Sequence, residues 1–122
     1  GASVRLFGIR SDTADLYQAF DVLMFPSRYE GLPLTAVEAQ ASGLPVVMST
    51  TISSETVIID SMVHEIELKV NQSGWADALL SVVHEQSIRR GYVQELRESG
   101  YDIGESSSEL VDWYMQILSE LK

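Results

Sequence analysis

The chain has no cysteine, only three prolines, and only eight Lys and Arg residues against 18 Asp and Glu in 122 residues. Each shortage excludes something. Without cysteine there is neither a disulfide framework nor a thiolate metal site. A formal charge of −10 leaves no surplus of cations to neutralise phosphates, so neither nucleic acid nor an anionic membrane is expected as the partner of this segment. The apolar stretches, such as Val22–Phe25, fall far short of the roughly 20 residues that cross a bilayer, and no signal peptide opens the chain. The expectation is a single cytoplasmic, soluble domain at most. Its acidity is uneven: five acids and three bases lie up to Ile52, thirteen and five from Ser53 onward. The first part is therefore the better place for an anionic ligand.

What is present is an α/β pattern. Val4–Phe7, closed by Gly8, reads as a buried strand, and a short helix follows with Ser11 or Asp12 as cap and Leu16 and Phe20 on one face. Val22–Phe25 reads as a second strand. Its apolar run without alternation suits a parallel strand covered on both sides. Leu34–Ser42 reads as a second helix, with Pro33 at its start, Gly43 past its end, and small inner residues Ala36, Ala39 and Ala41. Pro45–Met48 is the third strand. Residues 1–52 thus predict strand, helix, strand, helix, strand, with right-handed crossovers in a parallel sheet.

Ser49–Thr56 predicts a polar loop that can turn into a short helix, and residues 53–122 go on to a half-exposed edge strand over Glu65–Lys69 and terminal helices. One helix is expected over Ser73–Gln86, with Trp75, Leu79, Val82 and Val83 as its stripe, and a weaker one over Ile88–Ser99. The last is expected to open on the capping box Ser106-x-x-Glu109 and to carry Leu110, Tyr114, Ile117, Leu118 and Leu121 on one face. A doubly wound domain has about six strands in two halves. Three buried strands and a short edge strand make up one half of a Rossmann-like sheet, so the chain reads as a fragment.

The chemistry concentrates between Phe25 and Val47. Glu30 lies in a loop, Pro33 to Thr35 form a helix start, and Glu38 sits one turn inside that helix, eight positions after Glu30. The backbone N–H groups of Gly31, Leu32, Leu34 and Thr35 lack helical partners and can bind an anion or a sugar oxygen. A carboxylate at Glu38 suits a ribose diol, and Glu30 would face what extends from the phosphates. Taken alone, two acids at this spacing are equally well solvated surface residues. Arg10 and Arg28 read as solvated loop cations, His64 and His84 as surface or interface residues, and Arg89-Arg90 as balancing acids such as Glu85. No metal cluster is visible in the sequence.

In context, Glu30-Gly31-Leu32-Pro33, Glu38-Ala39, Ala41, Gly43 and Pro45-Val46, with Phe7-Gly8, Asp12 and Phe25-Pro26-Ser27 upstream, resemble the carboxyl-terminal donor domain of retaining GT-B glycosyltransferases. That is the glycosyl transferases group 1 family, or family 4; Thr51–Glu55 and Asn71–Trp75 resemble its capsular and exopolysaccharide branch. The resemblance implies that Glu38 holds the ribose and that Glu30, the catalytic residue, holds the donor sugar. It further implies that Gly31, Leu32, Leu34 and Thr35 meet sugar hydroxyls and the distal phosphate through backbone N–H groups, and that Ile9 and Arg10, after Gly8, meet the base. It implies a hexosyltransferase using a nucleotide sugar, UDP-linked first, and a saccharide or lipid-linked acceptor, without cofactor or metal. The full enzyme would act in the cytoplasm or at the inner face of the membrane. The diphosphate-gripping cations and the amino-terminal acceptor domain would lie outside residues 1–122, leaving this part inactive by itself. Two alternatives stay open: an epimerase or phosphorylase on the same scaffold, and a non-catalytic assembly module that dimerises through an exposed sheet edge near Leu6.

Overall fold

The computed structural model describes residues 4–85 and 89–120. At its centre is β2 (Val46–Ser49), all four residues of which are fully buried. β1 (Leu23–Phe25) and β3 (Val63–Ile66) flank it, both parallel to it, in the order β1-β2-β3. Successive strand side chains point to opposite faces, and β2 shows this directly. Val46 and Met48 join Ala36, Ala39, Leu44 and Ile52 on one face, whereas Val47 joins Trp75 and Val82 on the other. The first face is covered by α2 (Leu34–Ala41), the second by α3 (Gln72–Glu85). Ala36 and Ala39 are wholly buried, so the small inner side of α2 lets it lie close to the sheet, as the sequence predicts. The result is a three-stranded parallel α/β sheet with terminal helices, of Rossmann-like kind.

Two devices fix α2. At its end Gly43 takes φ +69°, its N–H donates to Gln40 O and the Leu44 N–H donates to Ala39 O, the paired bonds of a Schellman stop. A side chain here would also meet the Arg90 carbonyl at 1.9 Å, so only glycine fits. At its middle the buried Gln40 amide makes four hydrogen bonds. Its Nε2 donates to Ala36 O (3.0 Å) and Thr56 O (2.8 Å), and its Oε1 accepts from the N–H groups of Ile58 and Ile59, each at 2.9 Å. The short 3-10 turn Ser54–Thr56, which forms where the polar loop was expected, is thereby stapled to the helix.

Three expectations for the strands need correction. Val4–Phe7 forms no strand: Val4 and Leu6 are exposed, and residues 4–9 pair with no strand of the sheet. Apolar content marks a strand only when a ladder neighbour and an apolar surface are both available, and here the free sheet edge is β1, not a strand at Leu6. β1 itself is half-open on one face, where Met24 lines a groove with Trp75 and Leu79 of α3 that no described side chain fills. The second outer strand is Val63–Ile66, two residues earlier than expected; Glu67–Val70 turns instead, with Glu67 O accepting from the Val70 N–H. It is half-exposed, as its alternation suggests.

The terminal helices differ more. The weak helix shrinks to α4 (Val93–Leu96) followed by a wide turn over Arg97–Tyr101, in which Gly100 takes φ +86° and reverses the chain. α5 (Ile103–Glu120) starts before the expected capping box: Asp102 Oδ1 accepts from the N–H groups of Gly104 (2.9 Å) and Glu105 (3.2 Å), and Ser106 lies one turn inside. Its apolar residues Leu110, Tyr114 and Leu118 are more than half exposed. Gln86, Ile88 and Leu121, which the sequence reading places in helices, lie outside the described residues. Among the described residues no helix is long and apolar enough to cross a membrane.

The Gln40 staple makes a paired prediction. Gln40→Leu orphans the Thr56 carbonyl and the Ile58 and Ile59 N–H groups, at a cost of about 2–4 kcal/mol. Thr56 Oγ1 is buried without a partner among the described residues, so Thr56→Val should be neutral or stabilise by up to about 1 kcal/mol. Urea unfolding of the two variants measures both.

Candidate functional site

The carboxyl ends of β1 and β2 lie side by side, where open α/β sheets hold their ligands. Ser49, the last residue of β2, is fully buried, and its hydroxyl donates to the carbonyl of Ser27, just beyond β1. Thr51 Oγ1 lies 2.8 Å from the same carbonyl and 3.1 Å from Ser49 Oγ. Ser27 Oγ in turn lies 2.7 Å from Glu30 Oε1 and 3.2 Å from the Tyr29 carbonyl. The loop from Ser27 to Pro33 has no regular structure. Its acid is nevertheless tied to the sheet through hydroxyl groups.

Beyond Glu30 the chain turns into α2. Pro33 is the residue before the helix, and its carbonyl accepts from Ala36 (3.0 Å) and Val37 (3.3 Å). No side chain caps this end, and the N–H groups of Leu34 and Thr35 have no partner among the described residues. Gly31, Leu32, Leu34 and Thr35 are all exposed, and a side chain at Gly31 would meet open space. The helix start thus presents free donors and the positive end of its dipole to solvent.

Glu38, exposed on the outer side of α2, accepts a hydrogen bond from the Tyr17 hydroxyl of α1 (Thr13–Ala19) at 3.0 Å. Tyr17 therefore does two things, packing against the α2 side of the core and orienting the acid. Of the expected Leu16 and Phe20 face, Leu16 is half-buried like Tyr17, whereas Phe20, the residue after the helix, is exposed. Neither cavity lined by Glu38 includes Glu30: one, of about 320 Å³, runs from Leu34 and Val37 to Leu96 and Arg97, and the other, of about 310 Å³, lies between α1 and α2. In the first, Arg97 Nε donates to Asp102 at 2.8 Å. That guanidinium and the backbone N–H groups of Gly104 and Glu105 hold the Asp102 carboxyl below the usual carboxylate range, Glu105 contributing most.

The turn after Phe7 carries Gly8 at φ +67° and leaves Ile9 fully exposed. Arg10 does not reach toward α2; its guanidinium forms a two-pronged ion pair with Asp12, which lowers the Asp12 pKa. Asp12 consequently gives α1 no side-chain cap. The structure thus ties Glu30 to Ser27 and Glu38 to Tyr17 around the open start of α2, and sets Ile9 and Arg10 on a separate turn.

Two contributors escape sequence reasoning. Arg89, expected to balance acids, instead donates to the carbonyls of Tyr17, Gln18 and Phe20 at the end of α1 and to Gly43 O past α2, locking the two helices together. Nothing in the local sequence signals a partner about 70 residues away. Arg90 lies over the Tyr92 ring at 4.2 Å and pairs with Glu95 at 3.0 Å rather than with Glu85. The hydroxyls of Ser49 and Thr51 were visible as a polar run, but only the sheet brings them to Ser27.

The Tyr17–Glu38 contact has a pH signature. Burial first, and then Glu38, push the Tyr17 hydroxyl up to about 12 from 10.0. The folded state therefore keeps a proton that the unfolded chain loses; this contribution to stability is complete below pH 10 and is lost as pH rises toward 12. The urea midpoint should fall more steeply over that window in the native chain than in Tyr17→Phe.

Comparison with known proteins supplies the context for this geometry. The family model of the glycosyl transferases group 1 matches residues 1–85. The chain is 32% identical over 114 residues to the putative glycosyltransferase EpsF of Bacillus subtilis, covering 93% of this chain and 30% of that protein. It is 31% identical over 109 residues to the D-inositol 3-phosphate glycosyltransferase of Xylanimonas cellulosilytica, covering 88% and 26%. A 44-residue stretch is 46% identical to the UDP-Gal:alpha-D-GlcNAc-diphosphoundecaprenol alpha-1,3-galactosyltransferase of Escherichia coli, covering 36% and 11%. The chain thus spans less than a third of the length of these relatives. No solved structure matches it. With the family model covering well over half of the chain, including Glu30 and the whole of α2 with Glu38, the chain belongs to the glycosyl transferases group 1 family.

Proposed function

We propose that residues 1–122 form the distal half of the nucleotide-sugar site of a glycosyltransferase. The whole enzyme would move a hexose from a nucleotide sugar, UDP-linked first, to a saccharide or lipid-linked acceptor, with retention, in the synthesis of a capsular or exported polysaccharide. The observation that carries the reading is the uncapped start of α2, with free N–H groups at Leu34 and Thr35 and an acid on either side, in a chain of this family. The free donors and the helix dipole suit a phosphate or a sugar oxygen. Glu38 takes the ribose hydroxyls, its second oxygen left for them by the Tyr17 bond. Glu30 takes the hexose. Gly31, Leu32, Leu34 and Thr35 contribute backbone contacts, and Ile9 and Arg10 lie toward the base.

The chemistry divides accordingly. Glu30 and Glu38 accept hydrogen bonds from neutral hydroxyls and orient the donor. The charge that builds on the departing diphosphate is met by the α2 start, and by cations elsewhere in the enzyme, since Arg10 is held by Asp12. The reading calls for no metal. Residues 1–122 alone are inactive, because half of a site cannot hold donor and acceptor in reacting geometry. Support for donor and setting comes from one relative, matched over 44 residues, whose name specifies UDP-Gal and alpha-D-GlcNAc-diphosphoundecaprenol, and from the likeness to EpsF.

The two acids separate in a binding experiment on the enzyme that carries this chain. Glu38→Ala should weaken UDP about 10- to 100-fold by calorimetry, the equivalent of losing a charged hydrogen-bond acceptor for a diol. Glu30→Ala should leave UDP affinity within about twofold while abolishing most hexose transfer. Unchanged UDP affinity in Glu38→Ala removes the ribose assignment.

A further inference from the structure

The residue that aims Glu30 is identifiable. Ser27 has one hydroxyl proton and two acceptors within reach, Glu30 Oε1 at 2.7 Å and Tyr29 O at 3.2 Å. The carboxylate is nearer and charged, so it takes the proton. What makes this bond more than a surface contact is how firmly Ser27 is held. It follows β1 and Pro26, whose ring restricts the backbone. Its carbonyl has two lone pairs, and two hydroxyls reach it, Ser49 Oγ and Thr51 Oγ1. Ser49 ends the central strand and is wholly buried, a costly place for a hydroxyl unless it is bonded. A buried polar group spent on one loop carbonyl fixes that loop to the rigid sheet.

From this geometry we infer that Ser27 is a positioning residue for Glu30, and that Ser49 and Thr51 hold Ser27 in place. The inference rests on the reading of Glu30 as the acid that meets the donor hexose. Glu30 sits on an irregular loop four residues before α2, and of the described hydrogen bonds to its carboxylate the one from Ser27 is the link to the sheet. A carboxylate in a loop samples several rotamers. One donor anchored to two strand ends selects among them, and small losses of alignment at a reacting centre are expensive.

The test is a double-mutant cycle in the enzyme that carries this chain, assayed with UDP-, GDP- and dTDP-hexoses and then with the best donor. Ser27→Ala should lower kcat about tenfold with the donor KM changed less than about threefold, and Ser27→Thr, which keeps the hydroxyl, should restore most of it. In a Glu30→Ala background Ser27→Ala should have less than about a twofold further effect, because the group it acts through is gone. Thr51→Val, isosteric and on the exposed side, should give a smaller loss that also vanishes with Glu30→Ala; it carries the test if Ser27→Ala lowers stability by urea unfolding. Ser27→Ala indistinguishable from the native enzyme, or effects of Ser27→Ala and Glu30→Ala that simply multiply, would overturn the inference while leaving Glu30 in its place. Full activity in Glu30→Ala, or no turnover of any nucleotide hexose, would overturn the reading of the site and this inference with it.

Discussion

One buried amide sets the position of the helix on which the site is built. Gln40 lies wholly inside the molecule, and an unsatisfied amide there would cost several kcal/mol. It is satisfied only if the 3-10 turn at Ser54–Thr56 and the N–H groups of Ile58 and Ile59 close over it. The bonds therefore work in both directions: they hold α2 at one depth on the sheet and give the polar loop after β2 a fixed path. Ala36 and Ala39 permit the close approach, and the Gly43 stop returns the chain into β2. Glu38 and the open helix start inherit their position from this packing.

Around that helix the polar groups are sorted by how well they are paired. Arg10, Arg90 and Arg97 are committed to Asp12, Glu95 and Asp102, and Arg89 to the carbonyl ends of α1 and the stop after α2. The exposed pairs among them contribute little to stability, but they do occupy cations that could otherwise compete for a ligand. The start of α2 is the contrast: its donors are uncapped, and both acids beside it are oriented by a neutral hydroxyl rather than neutralised by a cation. A carboxylate held by a hydroxyl keeps its charge and its remaining lone pairs for another hydroxyl. Such an arrangement suits the polyhydroxylated, phosphate-bearing donor proposed above.

Much of the fold was legible because it is local. Pro33 and Gly43 bracket α2 within a residue, the unbroken apolar run at Pro45–Met48 marks the buried strand, and the stripe from Trp75 to Val82 faces the sheet. Reading failed where apolar content was taken to guarantee burial. Val4–Phe7 and the stripe of α5 have the right periodicity, yet no described surface covers either. It failed again where two caps competed, since Asp102 lies four residues ahead of Ser106 and takes the first free N–H groups of α5, those of Gly104 and Glu105.

The amino-acid sequence by itself determined the α/β class, the boundaries of α2 and β2, and the family, because these rest on turn chemistry, on side-chain periodicity and on a motif contiguous between Phe25 and Val47. The tertiary structure alone decided which hydroxyl serves which acid. Tyr17 meets Glu38 across 21 residues, Ser49 and Thr51 meet the Ser27 carbonyl across 22 and 24, and Arg89 meets α1 across some 70. Such contacts have no local signature, since a hydroxyl or guanidinium finds its partner only after burial has brought strand ends and helix ends together. The shortages of cysteine and of cations narrowed what the ligand could be; the packing of α2 decided where its acids stand.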